Sequence, residues 1–354
     1  MSLKVLHVID QLNVGGAERV SVDLSILLKR AKVDVDFLCL LNPQQLDTEL
    51  INNGVNVFYL DRKNKMNPFK VLLMHNIFQK HAIIHIHSRQ VLRYAGLTMI
   101  IPNFLKNYKL IFHDHYGNIK NDRSISNYTK LCIQNCAAYI GVSQELFDWA
   151  KEKNINERIF LLENIIRKTD KKVKTKTDSQ IVMIGNFRKT KNYDFLINLA
   201  KELPPFIKID VYGNKVDEVY FNHITKRIAE EDLDMKINII HNETNISSKL
   251  NNYEMALHCA NSETGPLVSI EYMAHKLPFV CFNTGEVASN LVKADISVVM
   301  SDFEIKSWVD RINLILNDKA YRQNIVKQLS NFYIKYYSEE KYLQKCLSIY
   351  KKVD

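Results

Sequence analysis

The sequence predicts an α/β protein with two domains, each a doubly wound parallel sheet with helices on both faces. The chain has 354 residues, more than a single hydrophobic core usually serves. Short apolar runs that suit buried strands alternate with helical stretches in both halves. A polar, lysine-dense run at residues 167–178 separates the halves. We therefore predict domains at residues 1–165 and 166–335 and a closing helical segment at residues 336–354.

Composition limits the kinds of partner that we expect. A hydrophobic content of 46% and a charged content of 25% are ordinary for a globular protein. The net charge of +9 predicts attraction to anions, either nucleotide diphosphates or acidic lipid surfaces. Lysines and arginines are spread over both halves without a nucleic-acid-binding motif, so nucleic acid is not an expected partner.

The amino terminus and the cysteines indicate the compartment. No apolar run reaches the roughly 18 to 20 residues that span a bilayer, and the first residues lack a signal-peptide layout. A cytoplasmic location is therefore expected. The six cysteines lie among apolar neighbours without CxxC spacing, which predicts buried thiols and neither disulfides nor zinc.

The first strand-and-helix pair begins at the amino terminus. Residues 4–9 form an apolar run, and Gly15 and Gly16 precede an amphipathic stretch that reaches about Lys29. The turn could bring backbone close to a phosphate, although a tight turn that needs glycine conformations explains either glycine equally well. The GxGxxG dinucleotide fingerprint is absent. Further strands are predicted at residues 35–41, 55–60, 83–87, 109–115, 138–143 and 159–164, and helices near 45–51 and 70–79.

Histidines stand at the carboxyl ends of two predicted strands, which is the edge where doubly wound sheets bind ligands. His87 closes one strand, and His113 and His115 close the next. The His-x-His spacing would suit a metal ion, but no carboxylate or cysteine completes a ligand set. Because strand alternation alone places each pair on one face, we expect no metal site. Ser143, at the end of the following strand, is expected to cap the next helix.

The second half begins with a strand at residues 180–185 that ends in Gly185. Arg188 and Lys191 follow before a helix at residues 193–201, an arrangement suited to a diphosphate. Without their position on this turn, we would interpret Arg188 and Lys191 as solvated surface residues. Further strands are predicted at residues 208–214, 237–242, 253–261 and 277–282, and helices at 305–316, 321–336 and 339–351.

Two carboxylates flank the start of one predicted helix. Glu263 lies in a loop of small residues. Pro266 is expected as the first helical residue, because an N–H at that position would have no partner within the helix and proline lacks one. The free N–H groups at residues 265–267 would attract an anion. Glu271 lies about one and a half turns into the helix. This pattern suits a sugar attached to a phosphate, although a surface helix with two solvated glutamates is the alternative reading.

This segment, a glutamate followed by seven residues and a second glutamate, with Gly-Pro-Leu between them, resembles the signature of retaining glycosyltransferases of family 4. The resemblance implies the GT-B fold, in which two Rossmann-like domains face a central cleft. It also implies a nucleotide-diphosphate sugar donor and a glycan or lipid-linked acceptor in bacterial surface polysaccharide synthesis. Neither a cofactor nor a metal is implied, and contact with the inner membrane is consistent with a lipid-linked acceptor.

The resemblance also assigns roles to residues. Glu263 and His115 are expected at the reacting sugar, with His113 as the alternative to His115. Asn186 stands where relatives often have arginine, so that role passes to Arg188. The donor-binding residues implied are Arg188, Lys191, Glu271, Gly265, Pro266, Leu267, Gly185, Gly213, Gly15 and Gly16.

Two other functions were weighed. The same fold serves nucleotide-sugar epimerases and phosphorylases. A nicotinamide oxidoreductase would need the glycine fingerprint and a ribose-binding acid, and the sequence contains neither. Two Asp-x-Asp pairs, at residues 34–36 and 232–234, fall in a predicted strand and a connection, and we interpret both as chance.

Overall fold

The computed structural model describes residues 3–13, 15–62, 67–120, 122–167, 178–243, 246–263 and 266–353. The chain forms two compact units. Unit 1 comprises Met1–Arg167 and Ser338–Asp354, and unit 2 comprises Lys168–Tyr337. Most of the lysine-dense run assigned to the domain boundary, residues 168–177, lies outside the described residues.

Unit 1 is built on a parallel sheet of seven strands in the order β3-β2-β1-β4-β5-β6-β7. Both faces of this sheet are covered by helices, which is why its central strands are apolar at successive positions rather than alternating. The strands are β1 Lys4–Ile9, β2 Asp34–Cys39, β3 Asn56–Tyr59, β4 Ile83–His87, β5 Lys109–Asp114, β6 Ala138–Gly141 and β7 Ile159–Leu161. The helices are α1 Gly16–Arg30, α2 Asp47–Asn52, α3 Pro68–Phe78, α4 Arg89–Ala95, α5 Asn127–Gln134 and α6 Gln144–Glu152, with 3-10 helices at Gly96–Ile100 and Asn103–Leu105.

Unit 2 repeats this plan with a parallel sheet of six strands in the order β10-β9-β8-β11-β12-β13. Its strands are β8 Ile181–Ile184, β9 Ile209–Tyr212, β10 Ile237–Ile240, β11 Met255–His258, β12 Phe279–Phe282 and β13 Val299–Met300. Its helices are α7 Tyr193–Glu202, α8 Glu218–Glu230, α9 Leu267–Ala274, α10 Gly285–Lys293, α11 Ile305–Asn317 and α12 Lys319–Tyr336, with 3-10 helices at Lys189–Lys191 and Ile246–Asn252. The last helix, α13 Glu339–Val353, belongs to unit 1 and packs against α1.

The two sheets confirm the predicted fold class, and local signals account for many of the boundaries. Ser143 caps α6 as expected, because its hydroxyl accepts a hydrogen bond from the Leu146 N–H at 3.3 Å. Four helices, α4, α5, α8 and α10, have no counterpart among the predicted helical ranges. Asp217 caps α8 in the ordinary way, so that signal was present in the sequence. By contrast, α10 begins at Gly285 with φ +77°, a start that cap rules do not anticipate.

Several predicted strands extend too far at their carboxyl ends. The strand predicted at residues 253–261 ends at His258, and the one at 159–164 ends at Leu161. The extra residues form the loops at the edge of the sheet. The apolar pattern of the sequence does not mark where the strand ends and the loop begins. All six cysteines are buried thiols. Among the described residues, no helix combines the length and apolar character needed to cross a membrane.

Candidate functional site

At the carboxyl edge of the unit 2 sheet, two glycines let neighbouring turns approach closely. The Gly185 N–H donates to the Tyr212 carbonyl at 2.9 Å. A Cβ atom at Gly213 would lie 2.0 Å from the Gly185 carbonyl oxygen, so only glycine fits there. A Cβ atom at Gly185 would lie 3.3 Å from the side chains of Lys191 and Tyr193. These contacts hold Lys191 over the end of β8.

Lys191 and Glu263, which the sequence singled out separately, form an ion pair. Both side chains are mostly buried, with 20% and 18% of their surface exposed. The loop that carries Glu263 is fixed by backbone contacts, since the Asn261 N–H donates to the Thr190 carbonyl at 2.9 Å. The Glu263 N–H also donates to the Thr284 hydroxyl at 3.1 Å. Sequence reasoning did not find Thr284, because a lone threonine 21 positions away carries no local signal.

Arg188 lies on the same turn and is exposed. Asn186, at the position where relatives often have arginine, serves the turn itself, because its amide oxygen accepts from the Asn214 N–H at 3.1 Å. This hydrogen bond of Asn186 joins the turn after β8 to the turn after β9. Arg188 is therefore the guanidinium that this turn presents to solvent.

The helix predicted near Pro266 is α9, which begins one residue later, at Leu267. Pro266 is the residue before the first turn, with φ −67° and ψ 107°, and not the first helical residue as expected. No side-chain cap hydrogen bond is made at this end among the described residues, so the first N–H groups remain available to an anion. Gly265 lies outside the described residues.

The remainder of α9 is fixed to the sheet through one tyrosine. The Tyr272 hydroxyl accepts from the Ile184 N–H at 3.1 Å and lies 3.4 Å from the Leu257 carbonyl. This hydroxyl therefore ties α9 to the ends of β8 and β11. Glu271 is the preceding residue and is half-buried, about one turn beyond Leu267.

His258, the last residue of β11, was missed by the sequence analysis. It is 1% exposed, and neither ring nitrogen has a hydrogen-bond partner among the described residues. Its Nε2 atom lies 3.9 Å from Oε1 of Glu263. Burial lowers the His258 pKa to about 4, against the opposite effect of Glu263. The "strand, then histidine" pattern that singled out His115 also occurs here and could have found it.

In unit 1, five histidines form a hydrogen-bonded chain that runs from the carboxyl edge of the sheet to the middle of β1 and β4. His115, one residue beyond β5, places Nε2 3.1 Å from Nδ1 of His87, and His87 places Nε2 2.9 Å from Nδ1 of His7. The chain continues from His7 Nε2 to the Tyr350 hydroxyl at 3.5 Å, from that hydroxyl to His85 Nδ1 at 2.7 Å, and from His85 Nε2 to His113 Nδ1 at 3.1 Å. Tyr350 comes from α13, far away in the sequence.

These imidazoles are neutral because burial disfavours the charged form. Burial lowers the pKa of His7 and His115 to about 3. The pKa values of His85, His87 and His113 are also lowered by burial and by the neighbouring rings. A neutral imidazole donates with one nitrogen and accepts with the other, so the tautomer of each ring depends on its neighbours. His113 is fully buried, whereas His115 keeps some exposed surface, so His115 is the better placed to meet a ligand.

The same histidines are the described residues that could hold a metal ion. The ligand nitrogens of His7, His85 and His87 lie within 4.8 Å of one another, and so do those of His87, His113 and His115. The sequence analysis expected packing rather than ligation at these positions. In the structure the nitrogens pair with one another at hydrogen-bond distances of 2.9 to 3.1 Å.

Two backbone features flank the histidine chain. Gly15 precedes α1 with φ −148° and ψ 169°, an extended conformation that any residue adopts. The interpretation that a tight turn needs a glycine conformation at this position is therefore wrong. Instead, the Glu18 carboxylate folds over this residue, because a Cβ atom at Gly15 would lie 2.3 Å from Oε2 of Glu18. Ser88, directly after His87, has φ 74° and ψ 148°, a conformation that side chains disfavour. Sequence reasoning gave no sign of strain there.

Each unit is built on a Rossmann-like parallel sheet, and strands alternate with helices along nearly the whole chain. This arrangement is the GT-B fold of glycosyltransferases. The family model described as Glycosyl transferases group 1 matches residues 164–331, and the model described as Glycosyltransferase Family 4 matches residues 14–168. Together the two models match residues 14–331, so each half of the chain matches a glycosyltransferase family.

Individual relatives agree with this assignment. The capsular polysaccharide biosynthesis glycosyltransferase CapH of Staphylococcus aureus is 26% identical over 348 residues, which cover 90% of this chain and 92% of CapH. Anabaena HepE, solved with UDP and glucose, shares the fold with a TM-score of 0.81 and 14% identity, over 99% of each chain. TarM of S. aureus, solved in a complex that includes UDP, has a TM-score of 0.74 and 14% identity, over 98% of this chain and 99% of TarM.

Proposed function

We propose that this glycosyltransferase moves a sugar from a nucleotide-diphosphate donor to a glycan or lipid-linked acceptor and retains the anomeric configuration. The single observation that carries the proposal is the Lys191–Glu263 ion pair, beside exposed Arg188 and the uncapped start of α9. Cations and free N–H groups suit a leaving diphosphate, and a carboxylate suits sugar hydroxyls. The role of CapH in capsular polysaccharide biosynthesis supports bacterial surface polysaccharide as the pathway.

The diphosphate would be held by three kinds of donor. Arg188 offers a planar guanidinium, and Lys191 a point charge that Glu263 now partly neutralises. The N–H groups at the start of α9, together with the predicted contacts of Gly265, Pro266 and Leu267, would add the positive end of the helix dipole. Such preorganised donors stabilise charge that develops as the sugar leaves, in the manner of an oxyanion hole. With this set a metal ion is not required, and we propose metal-independent transfer.

The two glutamates would serve the two sugars of the donor. Glu263, next to Lys191, would accept hydrogen bonds from hydroxyls of the transferred sugar and steady positive charge at the anomeric carbon. Glu271, half-buried one turn into α9, would accept hydrogen bonds from ribose hydroxyls. Gly185, Gly213, Gly15 and Gly16 would let backbone approach the donor.

His115 would contact the sugar as a neutral imidazole. Its low pKa excludes it as a general acid near neutral pH, so its role is to hydrogen-bond a hydroxyl. The structure offers no separate general base among the residues assigned to the site. We therefore propose that the bond between the anomeric carbon and the donor phosphate breaks and that the acceptor hydroxyl bonds to this carbon on the face that the phosphate leaves. The leaving phosphate takes the acceptor proton, and attack on this same face gives retention.

Thermal shift against UDP-, GDP-, ADP- and CMP-sugars tests the donor class directly. One class should raise the melting temperature of the wild type, and the increase should be lost in Arg188→Ala with Lys191→Ala. Product NMR would then report the anomeric configuration, with and without a chelator. Inversion, dependence on a metal, or turnover of the donor to an epimer without any acceptor would each contradict the proposal.

A further inference from the structure

His258 is buried at the carboxyl edge of the unit 2 sheet, and neither of its ring nitrogens has a hydrogen-bond partner among the described residues. A neutral imidazole carries one N–H donor and one bare nitrogen, and a buried donor that stays unpaired costs free energy. By contrast, each buried histidine of unit 1 bonds to another ring, a hydroxyl or a carboxylate. The unpaired ring of His258 therefore calls for an explanation.

The charged groups that act on His258 are the two members of the Lys191–Glu263 ion pair. Nε2 of His258 lies 3.9 Å from Oε1 of Glu263, about 1 Å beyond hydrogen-bond distance. The same oxygen, Oε1, contacts the Lys191 amine. One carboxylate oxygen thus lies between two possible donors, and in this structure the lysine holds it.

The backbone on both sides of this contact is fixed. His258 is the last residue of β11, which pairs with β8 on one side and with β12 on the other. The Glu263 N–H is held by the Thr284 hydroxyl. A change of partner therefore needs only a rotation of the Glu263 side chain that moves its carboxylate by about 1 Å.

We propose that His258 is a positioning residue that takes over Glu263 when a diphosphate draws Lys191 away. The inference rests on the proposed function, in which Lys191 binds the donor phosphate and Glu263 binds the transferred sugar. The His258 Nε2–H would donate to one carboxylate oxygen of Glu263 and leave the other oxygen to a sugar hydroxyl. The buried donor of His258 would then be satisfied, and the carboxylate would not be left without a partner.

The charges around His258 favour this exchange. Burial is the largest cause of its low pKa, Glu263 raises the pKa, and Lys191 lowers it. When Lys191 leaves the pair, His258 remains beside a carboxylate without the opposing cation. The pKa of His258 must then rise, and its N–H becomes a stronger donor to Glu263.

Histidine NMR on the full chain tests the exchange without any nucleotide. Lys191→Met removes the charge but keeps the apolar stem that lies beside Gly185. In this variant the ¹⁵N signals of His258, assigned through His258→Gln, should show a hydrogen-bonded Nε2–H and a pKa raised by at least about one pH unit. Both changes should be absent in Lys191→Met with Glu263→Ala. Unchanged His258 signals in Lys191→Met would overturn the proposal, whichever donor the enzyme uses.

Nucleotide titration tests whether the exchange assists binding. The probe is whichever of UDP, GDP and ADP binds the wild type most tightly. His258→Phe should weaken binding about tenfold, because Glu263 then has no second donor and keeps Lys191. His258→Gln should restore most of the affinity, since its amide nitrogen lies near the position of Nε2. His258→Asn is the matched control and should not restore it, because its amide nitrogen lies near the position of Nδ1.

A double-mutant cycle separates this role from packing. In a Glu263→Ala background, His258→Phe should leave nucleotide affinity unchanged, because Lys191 is already free of the carboxylate. An equal loss of affinity in both backgrounds would show that His258 only packs, and would overturn the proposal. If none of the three nucleotides binds the wild type, the proposed function fails, and the role of the exchange in binding fails with it. Unchanged NMR signals together with normal nucleotide binding would overturn the exchange alone.

Discussion

The carboxyl edges of the two sheets differ in charge, because one carries ionised side chains and the other carries neutral histidines. In unit 2 the edge carries a lysine and a glutamate in contact, an exposed arginine, and the start of α9, where the described residues make no side-chain cap hydrogen bond. In unit 1 the edge carries neutral histidines joined to one another and to Tyr350. Two sheets with the same topology therefore offer different chemistry, because loops and strand ends rather than the fold determine it.

The difference has a physical consequence for ligand binding. A charged edge can neutralise a diphosphate but must exchange one ionic partner for another when the ligand arrives. A neutral hydrogen-bonded edge has fixed geometry and suits hydroxyl groups, which need direction more than charge. The four predictions below test this contrast.

Acid should unfold unit 1, which carries the neutral histidines, at a higher pH than unit 2. Burial holds the pKa of His7 and His115 at about 3 in the folded chain, below the 6.5 of an exposed histidine. Between these values the unfolded chain binds protons that the folded chain excludes. Stability is therefore fully present above about pH 6.5 and decreases as the pH falls, by up to about 1.4 kcal/mol per pH unit for each buried histidine. In unit 2 the described histidine whose pKa burial lowers is His258.

The two tryptophans make this measurable, since Trp149 lies in unit 1 and Trp308 in unit 2, both fully buried. In Trp308→Phe, fluorescence reports on unit 1, and in Trp149→Phe it reports on unit 2. Acid titration should change the unit 1 signal at a higher pH than the unit 2 signal. Simultaneous transitions, or loss of the unit 2 signal first, would contradict the contrast.

Removal of the carboxylate should disable the charged edge. Glu263→Ala should lower transfer by about a thousandfold while the fold remains, because charge at the anomeric carbon loses its nearest anion. Glu243→Ala is the matched control, since it breaks another lysine–glutamate pair of unit 2, with Lys249. Turnover and thermal unfolding would be measured for both variants. Equal activity in the two variants would rule out a special role for Glu263.

Removal of the cations should have a smaller effect on transfer. Arg188→Ala with Lys191→Ala should lower turnover by about a hundredfold, because backbone N–H groups at α9 still meet the diphosphate. Lys189→Ala offers the control, as an exposed lysine on the same turn. Steady-state kinetics and nucleotide-diphosphate titration would be compared. Full activity in the double variant would contradict the phosphate assignment.

The smallest effect concerns the backbone of the neutral edge. Ser88→Gly should stabilise unit 1 by about 1 kcal/mol, because glycine adopts φ 74° without strain. The hydrogen bond that the Ser88 hydroxyl accepts from the Val91 N–H as the cap of α4 is lost, but replacing a cap by glycine costs only about a few tenths of a kcal/mol. Ser143→Gly should instead destabilise it slightly, since Ser143 caps α6 with an ordinary φ of −138°. Urea unfolding would measure both. If Ser88→Gly were destabilising, strain would not be a property of this edge.

Much of the fold follows from local sequence patterns. Apolar runs marked twelve of the thirteen strands, and the missed strand, β13, has two residues. The acid pair at residues 263 and 271 and the turn with Arg188 and Lys191 were proposed from the sequence, because each is a short segment with a recognisable order of residues. Helix α10 was not predicted, and the carboxyl ends of several strands were predicted too late in the chain, since these depend on neighbours that are distant in the sequence.

The sequence alone determined the parallel α/β class, the two-domain division and the segment that carries Glu263, because these are written in the spacing of nearby residues. Only the tertiary structure joined Lys191 to Glu263, placed His258 beside them and linked His85 to Tyr350 across 265 positions. Such contacts depend on which elements pack together, and no local pattern records the partner of a side chain.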